Sequence, residues 1–204
     1  MELPMNQTVQ IISDGSCDLT PEAAKELGVL LVPFYVSFDS EAYFKEGLEL
    51  NVREFYQKMV DQPTVFPKTS MPSVDDYYQV FEPLAKEDIP AICICITTKF
   101  SGSTINTVLQ GLYVKEACRL RDLNTTYDTM VERLLAIRES GRIFFTIGSI
   151  DYLKHGGRIG KLAGLAGSAL RIKPLITLKS GEIQSSGISR NREKSMQKVV
   201  EPLS

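Results

Sequence analysis

Residues 97–106, "TTKFSGSTIN", put a Ser-Gly-Ser turn directly after the apolar run "AICICI" (residues 91–96) and before a helix-like pattern. A turn that hands a strand over to a helix presents unpaired backbone N–H groups and the positive end of the helix dipole. Gly102 and Ser103 can therefore donate to an anion, with the Ser101 hydroxyl adding a further bond. A phosphate, the oxyanion of an acyl enzyme and a carboxylate all fit such a turn, and each implies a different protein. The structural alternative is that Ser101 or Ser103 simply caps its own helix.

Several chemistries fail on residue type. A serine nucleophile needs a base and usually a glycine elbow, but Lys99 holds the first glycine position of G-x-S-x-G and the single histidine, His155, is distant in sequence. A P-loop fails because Leu162 follows Gly160-Lys161 and His155 stands where the first glycine belongs. The turn "DGSCD" (residues 14–18) has the outline of an aspartyl-phosphate loop with Asp14 as nucleophile. Ser16 replaces its second acidic group, so a structural turn is the better reading. Cys17 lies in a loop before a helix, where a thiolate would be stabilised, while the other cysteines read as core residues. With one histidine and no Cys/His cluster, no metal site is expected. The loop "PKTSMPS" (residues 67–73) contributes the Thr69 hydroxyl. Neutral donors at Thr69 and Ser101, converging at one sheet edge without an acid or base, describe a binding site better than a catalytic one.

The elements that must position these groups alternate. "TVQIIS" (residues 8–13) is a strand, followed by a helix with Thr20 as N-cap, Pro21 at its first position and Gly28 just past its end. "VLLVPFYVSF" (29–38) reads as one second strand, and "NVREFYQKMVDQ" as a helix capped by Asn51. Prolines hold residues 63–72 out of helix until Ser73 and Asp76 open the next one as a capping box. "AICICI" then reads as a fully buried strand. Strand-helix alternation argues for an α/β fold whose ligands bind beyond the carboxyl ends of parallel strands. A helix with Tyr127, Met130, Leu134 and Ile137 on its apolar face ends near Gly141. Beyond it the pattern changes to a strand at residues 142–148, a short helix from Ser149, a glycine-spaced helix with Gly160, Gly164 and Gly167, and two strands around Ser180-Gly181. The expected architecture has two domains. Residues 1–139 form an N-terminal parallel sheet flanked by helices (Rossmann-like), and residues 140–204 form a C-terminal α+β domain with a largely antiparallel sheet.

Composition agrees with a globular chain that buries a real core, with 43% hydrophobic and 24% charged residues. A net charge of −2 gives no electrostatic reason to bind nucleic acid or an anionic membrane. With no leader-like N-terminus and no apolar run of membrane-spanning length, the expectation is a cytoplasmic protein without stable membrane insertion.

Together, "IISDGSCDLTPE", "PKTSMPS", "ITTKFSGST" and "YLKHGGRIGKLAGLAGSALRIKPLITLKSGEI" closely resemble the DegV family of fatty-acid-binding proteins. The resemblance implies a non-enzymatic carrier, without a cofactor, that buries one long-chain fatty acid in a tunnel between its domains. It further implies presentation of the carboxylate to the catalytic subunit of a fatty acid kinase, which makes the acyl phosphate. On that pattern Thr69 and Ser101 match the head-group hydroxyls, Gly102 and Ser103 the adjacent amides, and Arg158 of "GGRIG" a basic residue near the pocket mouth or kinase contact. His155 receives no role. About ten buried methylenes would contribute on the order of 8 kcal/mol of gross transfer free energy, leaving the hydroxyls to orient the carboxylate. An enzyme acting on a small phosphorylated or carboxylated metabolite in the same cleft is the alternative, and a domain without a ligand is a third. The chain departs from the family in two places. The C-terminal domain is incomplete, lacking a final segment with a histidine the family places against the carboxylate. A helix and a strand are also missing between "FSGST" and "VLQGLY", which points either to a junction across a gap near Ser103 to Asn106 or to an authentic deletion that removes a sheet strand.

Overall fold

The structure, a computed structural model, describes residues 9–39, 41–96, 107–141, 143–147, 155, 173–179, 182–189 and 191–200. These divide into two compact units, one running to Gly141 and the other from Ile143 onward.

The first unit is built on β1 (Gln10–Asp14), β2 (Val29–Val32) and β6 (Ala91–Ile94), which pair in parallel in the order β2-β1-β6. Alternation along β1 sends Ile11 to one face and Ile12 to the other, and both are fully buried. On the Ile11 face lie α1 (Pro21–Glu26), α4 (Thr107–Asp122) and α5 (Tyr127–Ser140), packing Ala24, Val114, Ala117, Cys118 and Met130 against Ile11, Val29 and Ile92. On the Ile12 face α3 (Val74–Lys86) covers Ile12 and Val32 with Tyr77, Val80 and Leu84. Each buried aliphatic side chain contributes roughly 1.5–3 kcal/mol.

The helix boundaries follow the expected chemistry. Thr20 accepts from the Ala23 amide, Pro21 starts α1, and Gly28 lies just past its end at φ +64°. Arg121, near the end of α4, donates to the Leu27 carbonyl at 2.9 Å and so satisfies the exit of α1. Asn51 with Glu54 opens α2 (Val52–Asp61), and Ser73 with Asp76 opens α3, each as a complete capping box.

Three local readings are corrected. Residues 29–38 are two strands, because Pro33 and Phe34 break the run: β2 stays in the parallel sheet, while β3 (Tyr35–Ser37) joins a separate antiparallel sheet. That sheet has the order β4-β3-β5, with β4 at Phe44–Lys45 and β5 at Lys68–Ser70, so part of the supposed 67–73 loop is a strand. The third correction is burial. Along β6 and its continuation only Ile92 is buried, and Cys93 and Cys95 are exposed. Among the described residues no strand lies beyond β6, and α3 covers the β1-β2 side of that face.

In the second unit β7 (Phe144–Thr146), β8 (Lys173–Lys179) and β9 (Glu182–Ser189) form an antiparallel sheet in that order. Opposite Leu175 and Ile176 the register skips Ser186 of β9, a bulge beside Gly187, whose φ of +137° suits glycine. Against this sheet packs α6 (Arg192–Val200), its first turn held by Asn191 Oδ1 accepting from the Glu193 amide at 2.7 Å. The expected short helix from Ser149 and the glycine-spaced segment lie outside the described residues, apart from helical His155.

Candidate ligand-binding site

At the carboxyl end of the parallel sheet the first unit carries a buried polar cluster built on Asp14, the last residue of β1. Asp14 Oδ1 accepts from the Ser16 amide at 3.1 Å, from the Ser16 hydroxyl, and from Gln110 Nε2 at 2.8 Å. Asp14 Oδ2 accepts from the Ile96 amide at 2.9 Å. Gln110 also donates to Ser13 Oγ at 3.0 Å and to the Ile94 carbonyl at 3.2 Å, the same carbonyl that the Ser13 hydroxyl reaches at 2.8 Å. Every group bonded to the Asp14 carboxyl is a donor, and both of its oxygens are engaged. That is the bonding of a structural anchor rather than a nucleophile awaiting a phosphoryl group. Its effect is to pin Ile94 and Ile96 to β1 and α4.

Close approach of α4 makes this possible. Gly111 lies directly over the Cys17 carbonyl, where even a methyl group would collide with it. Removing the side chain at 111 lets α4 descend until Gln110 reaches Asp14. Cys17 itself is buried, and burial pushes its thiol above the ordinary range, so the reactive reading of this cysteine fails.

A second network positions Thr69. Thr69 pairs with Val36 of β3, and two residues later the chain turns through Met71 and Pro72 into the Ser73 cap of α3. Asp76 in the first turn of α3 accepts from the Ser73 amide at 2.8 Å and from the Ser73 hydroxyl at 2.6 Å. It also takes the Tyr35 hydroxyl at 2.9 Å and lies 3.2 Å from Lys45 Nζ. Burial opposes its ionisation, but the Ser73, Tyr35 and Lys45 donors outweigh that and hold Asp76 at about 2. One carboxylate therefore ties β3, β4 and the start of α3 around β5. Ser101, Gly102, Ser103 and Arg158 lie outside the described residues, as does the expected junction near Ser103 to Asn106; of the candidate head-group set, the structure places Thr69.

A family model described as "Uncharacterised protein, DegV family" matches residues 8–109 and 103–204. The chain belongs to the DegV family. A DegV domain-containing protein of Halalkalibacterium halodurans is 30% identical, over 95% of this chain and 75% of its own length. One from Clostridium acetobutylicum is 29% identical, over 96% and 76%. Among solved structures, a stearic-acid-binding protein from Eubacterium ventriosum superposes with a TM-score of 0.85 at 37% identity, covering 96% of this chain and 75% of its own. The Bacillus subtilis DegV structure shares the fold, with a TM-score of 0.82 at 20% identity.

The alignment with the C. acetobutylicum relative spans 218 positions, more than the 204 residues here, so that relative carries residues this DegV chain lacks. The two matched stretches of the family model overlap at residues 103–109, which include the first three residues of α4. Sequence reasoning missed Gln110, Tyr35 and Lys45. Gln110 left a signal, being the one amide in the stripe Gln110, Val114, Ala117, Cys118 that α4 turns inward. Tyr35 and Lys45 left none, since their meeting with Asp76 depends on the β3-β4 pairing. An open groove of about 390 Å³ on α3, lined by Tyr78, Phe81, Glu82, Ala85 and Lys86, contains none of the candidate head-group residues. Among the described residues no helix is long and apolar enough to cross a membrane.

Proposed function

We propose that this DegV protein binds one long-chain fatty acid in an apolar tunnel and acts in the cytoplasm as a carrier rather than as an enzyme. The Thr69 and Ser101 hydroxyls hold the carboxylate with the Gly102 and Ser103 amides, and Arg158 stands near the mouth. The carboxylate is presented to the catalytic subunit of a fatty acid kinase, which forms the acyl phosphate. The observation that carries this reading is the 37% identity, across 96% of the chain, with a protein described as binding stearic acid. Two features of the site support it. Thr69 sits on β5 and pairs with Val36 of β3, a strand that the Asp76 clamp ties to β4 and the start of α3, which favours the defined hydroxyl position that orienting a head group requires. The Asp14 cluster pins Ile94 and Ile96, the described residues that precede Ser101 in sequence. Neutral donors orient a carboxylate and leave it reactive toward a phosphoryl donor, whereas a bidentate arginine would hold it in a tight ion pair.

Mass spectrometry of an organic extract of the natively purified protein tests the reading. A stoichiometric long-chain fatty acid is expected. Its absence, together with failure of added fatty acids to bind, would move the assignment to an enzyme acting on a small carboxylated or phosphorylated metabolite.

A further inference from the structure

The exposed cysteines of β6 form a site of their own, independent of the lipid reading. Cys93 and Cys95 are two residues apart on one strand, so both side chains leave the same face. Their sulfurs lie 3.3 Å apart, and Tyr77 Oη from α3 lies 3.4 Å from Cys95 Sγ. The backbone beneath is anchored to β1 and α4. Cys93 pairs with Ile12 in the parallel ladder, the Ile94 carbonyl accepts from Ser13 and Gln110, and the Ile96 amide donates to Asp14. Because these bonds fix residues 94 and 96, the Cys95 side chain is held directed toward Cys93. Both cysteines are open to solvent, while Cys17 and Cys118 are buried.

We propose that Cys93 and Cys95 are a dithiol oxidation site, in which peroxide oxidises Cys95 and Cys93 resolves it to an intrachain disulfide. Cys95 sulfur attacks one peroxide oxygen, the O–O bond breaks and water leaves, giving a sulfenic acid. Cys93 sulfur then attacks the Cys95 sulfur, the S–O bond breaks, and the hydroxyl group leaves with a proton as a second water. The two thiols lose two electrons and one hydrogen peroxide becomes two waters. Cys95 is the attacking thiol because it has both partners. The Cys93 thiol, acting first, and the Tyr77 hydroxyl outweigh the partial loss of hydration at the sulfur and bring it to about 7, while the same contact and partial desolvation push Cys93 up. Alternate strand residues are about 6.6 Å apart, at the long end of the Cα separation a disulfide tolerates, so the bond is a readily reduced one.

Trypsin isolates the pair, because residues 87–99 follow Lys86, end at Lys99 and contain neither Cys17 nor Cys118. The full chain is treated with hydrogen peroxide, blocked with N-ethylmaleimide, digested and weighed. The expected result is an 87–99 peptide lighter by two hydrogens and unlabelled, restored to two labelled thiols by dithiothreitol. Cys93→Ser removes the resolving thiol, and Cys95 then accumulates as sulfinic or sulfonic acid. Tyr77→Phe slows alkylation of Cys95 at neutral pH by about fivefold, the thiolate lost if its pKa rises one unit from about 7. Recovery of both cysteines labelled after peroxide, their separate over-oxidation in the unsubstituted chain, or a disulfide joining two chains would each overturn the assignment.

Discussion

Replacing Asp14 by Asn tests whether the buried cluster is the anchor described above. The substitution keeps size and one oxygen but turns the other acceptor into an NH₂ donor. Donors converge on both carboxyl oxygens: the Ser16 amide, the Ser16 hydroxyl and Gln110 on one side, and the Ile96 amide on the other. In either orientation the new carboxamide aims a donor at a donor, leaving at least one N–H without a partner in a site where Asp14 is 1% exposed. An orphaned buried group costs about 1–3 kcal/mol, and the remaining bonds weaken from charge-assisted to neutral strength. Relief of carboxylate desolvation offsets part of this, so the expected loss is roughly 2–4 kcal/mol. Urea unfolding followed by far-UV circular dichroism reads it as a midpoint lower by about 1–2 M, at an m-value near 2 kcal/mol/M. In a double-mutant cycle with Gln110→Ala the two losses should fall short of additivity by about 0.5–3 kcal/mol, because both act through one network. A loss under about 0.5 kcal/mol, or strict additivity, would refute the reasoning.

Three further outcomes are expected. Replacing Thr69 and Ser101 together with Ala abolishes kinase-dependent acyl phosphate formation more than it weakens lipid retention, measured by phosphate transfer and by extract mass spectrometry; equal loss of both would mean that the hydroxyls supply affinity instead of orientation. Asp76 is depressed to about 2 from an ordinary 3.8, so its stabilisation is complete above pH 4 and is lost as pH falls through about 2. Asp76→Asn therefore lowers the melting temperature at pH 7 and changes it far less near pH 2, and a pH-independent difference would remove the clamp from the account. Gly111→Ala drives a methyl group into the Cys17 carbonyl and is expected to cost about 1–3 kcal/mol, although alanine is the better helix former. A stabilised variant in thermal unfolding would show that α4 does not need that close approach.

Local chemistry was legible wherever a residue acts on its immediate neighbours. Thr20, Asn51 and Ser73 cap the helices they precede because the amides they satisfy lie within three residues. The antiparallel pair β8-β9 was readable for the same reason, its two strands being separated by only two residues in sequence. The apolar run at residues 8–13 was legible as a strand, but the two cores that Ile11 and Ile12 enter on its opposite faces appear only in the packing. Errors arose where long-range pairing overrides the local pattern. Val29 to Phe38 is apolar throughout, yet Pro33 withholds a ladder donor and the two halves join different sheets.

The sequence by itself determined the strand-helix alternation, the caps, the change to an antiparallel sheet, and the motifs that resemble the DegV family, because each is written in neighbouring residues. Tertiary structure alone decided that Gln110 completes the Asp14 anchor across 96 residues, and that Asp76 gathers Tyr35 and Lys45 from two other strands. It also decided that Cys93 and Cys95 stand exposed on β6, the last strand of its sheet among the described residues. Burial and hydrogen-bond partners belong to the surroundings of a side chain, and a run such as "AICICI" reads the same whether or not anything packs beyond it.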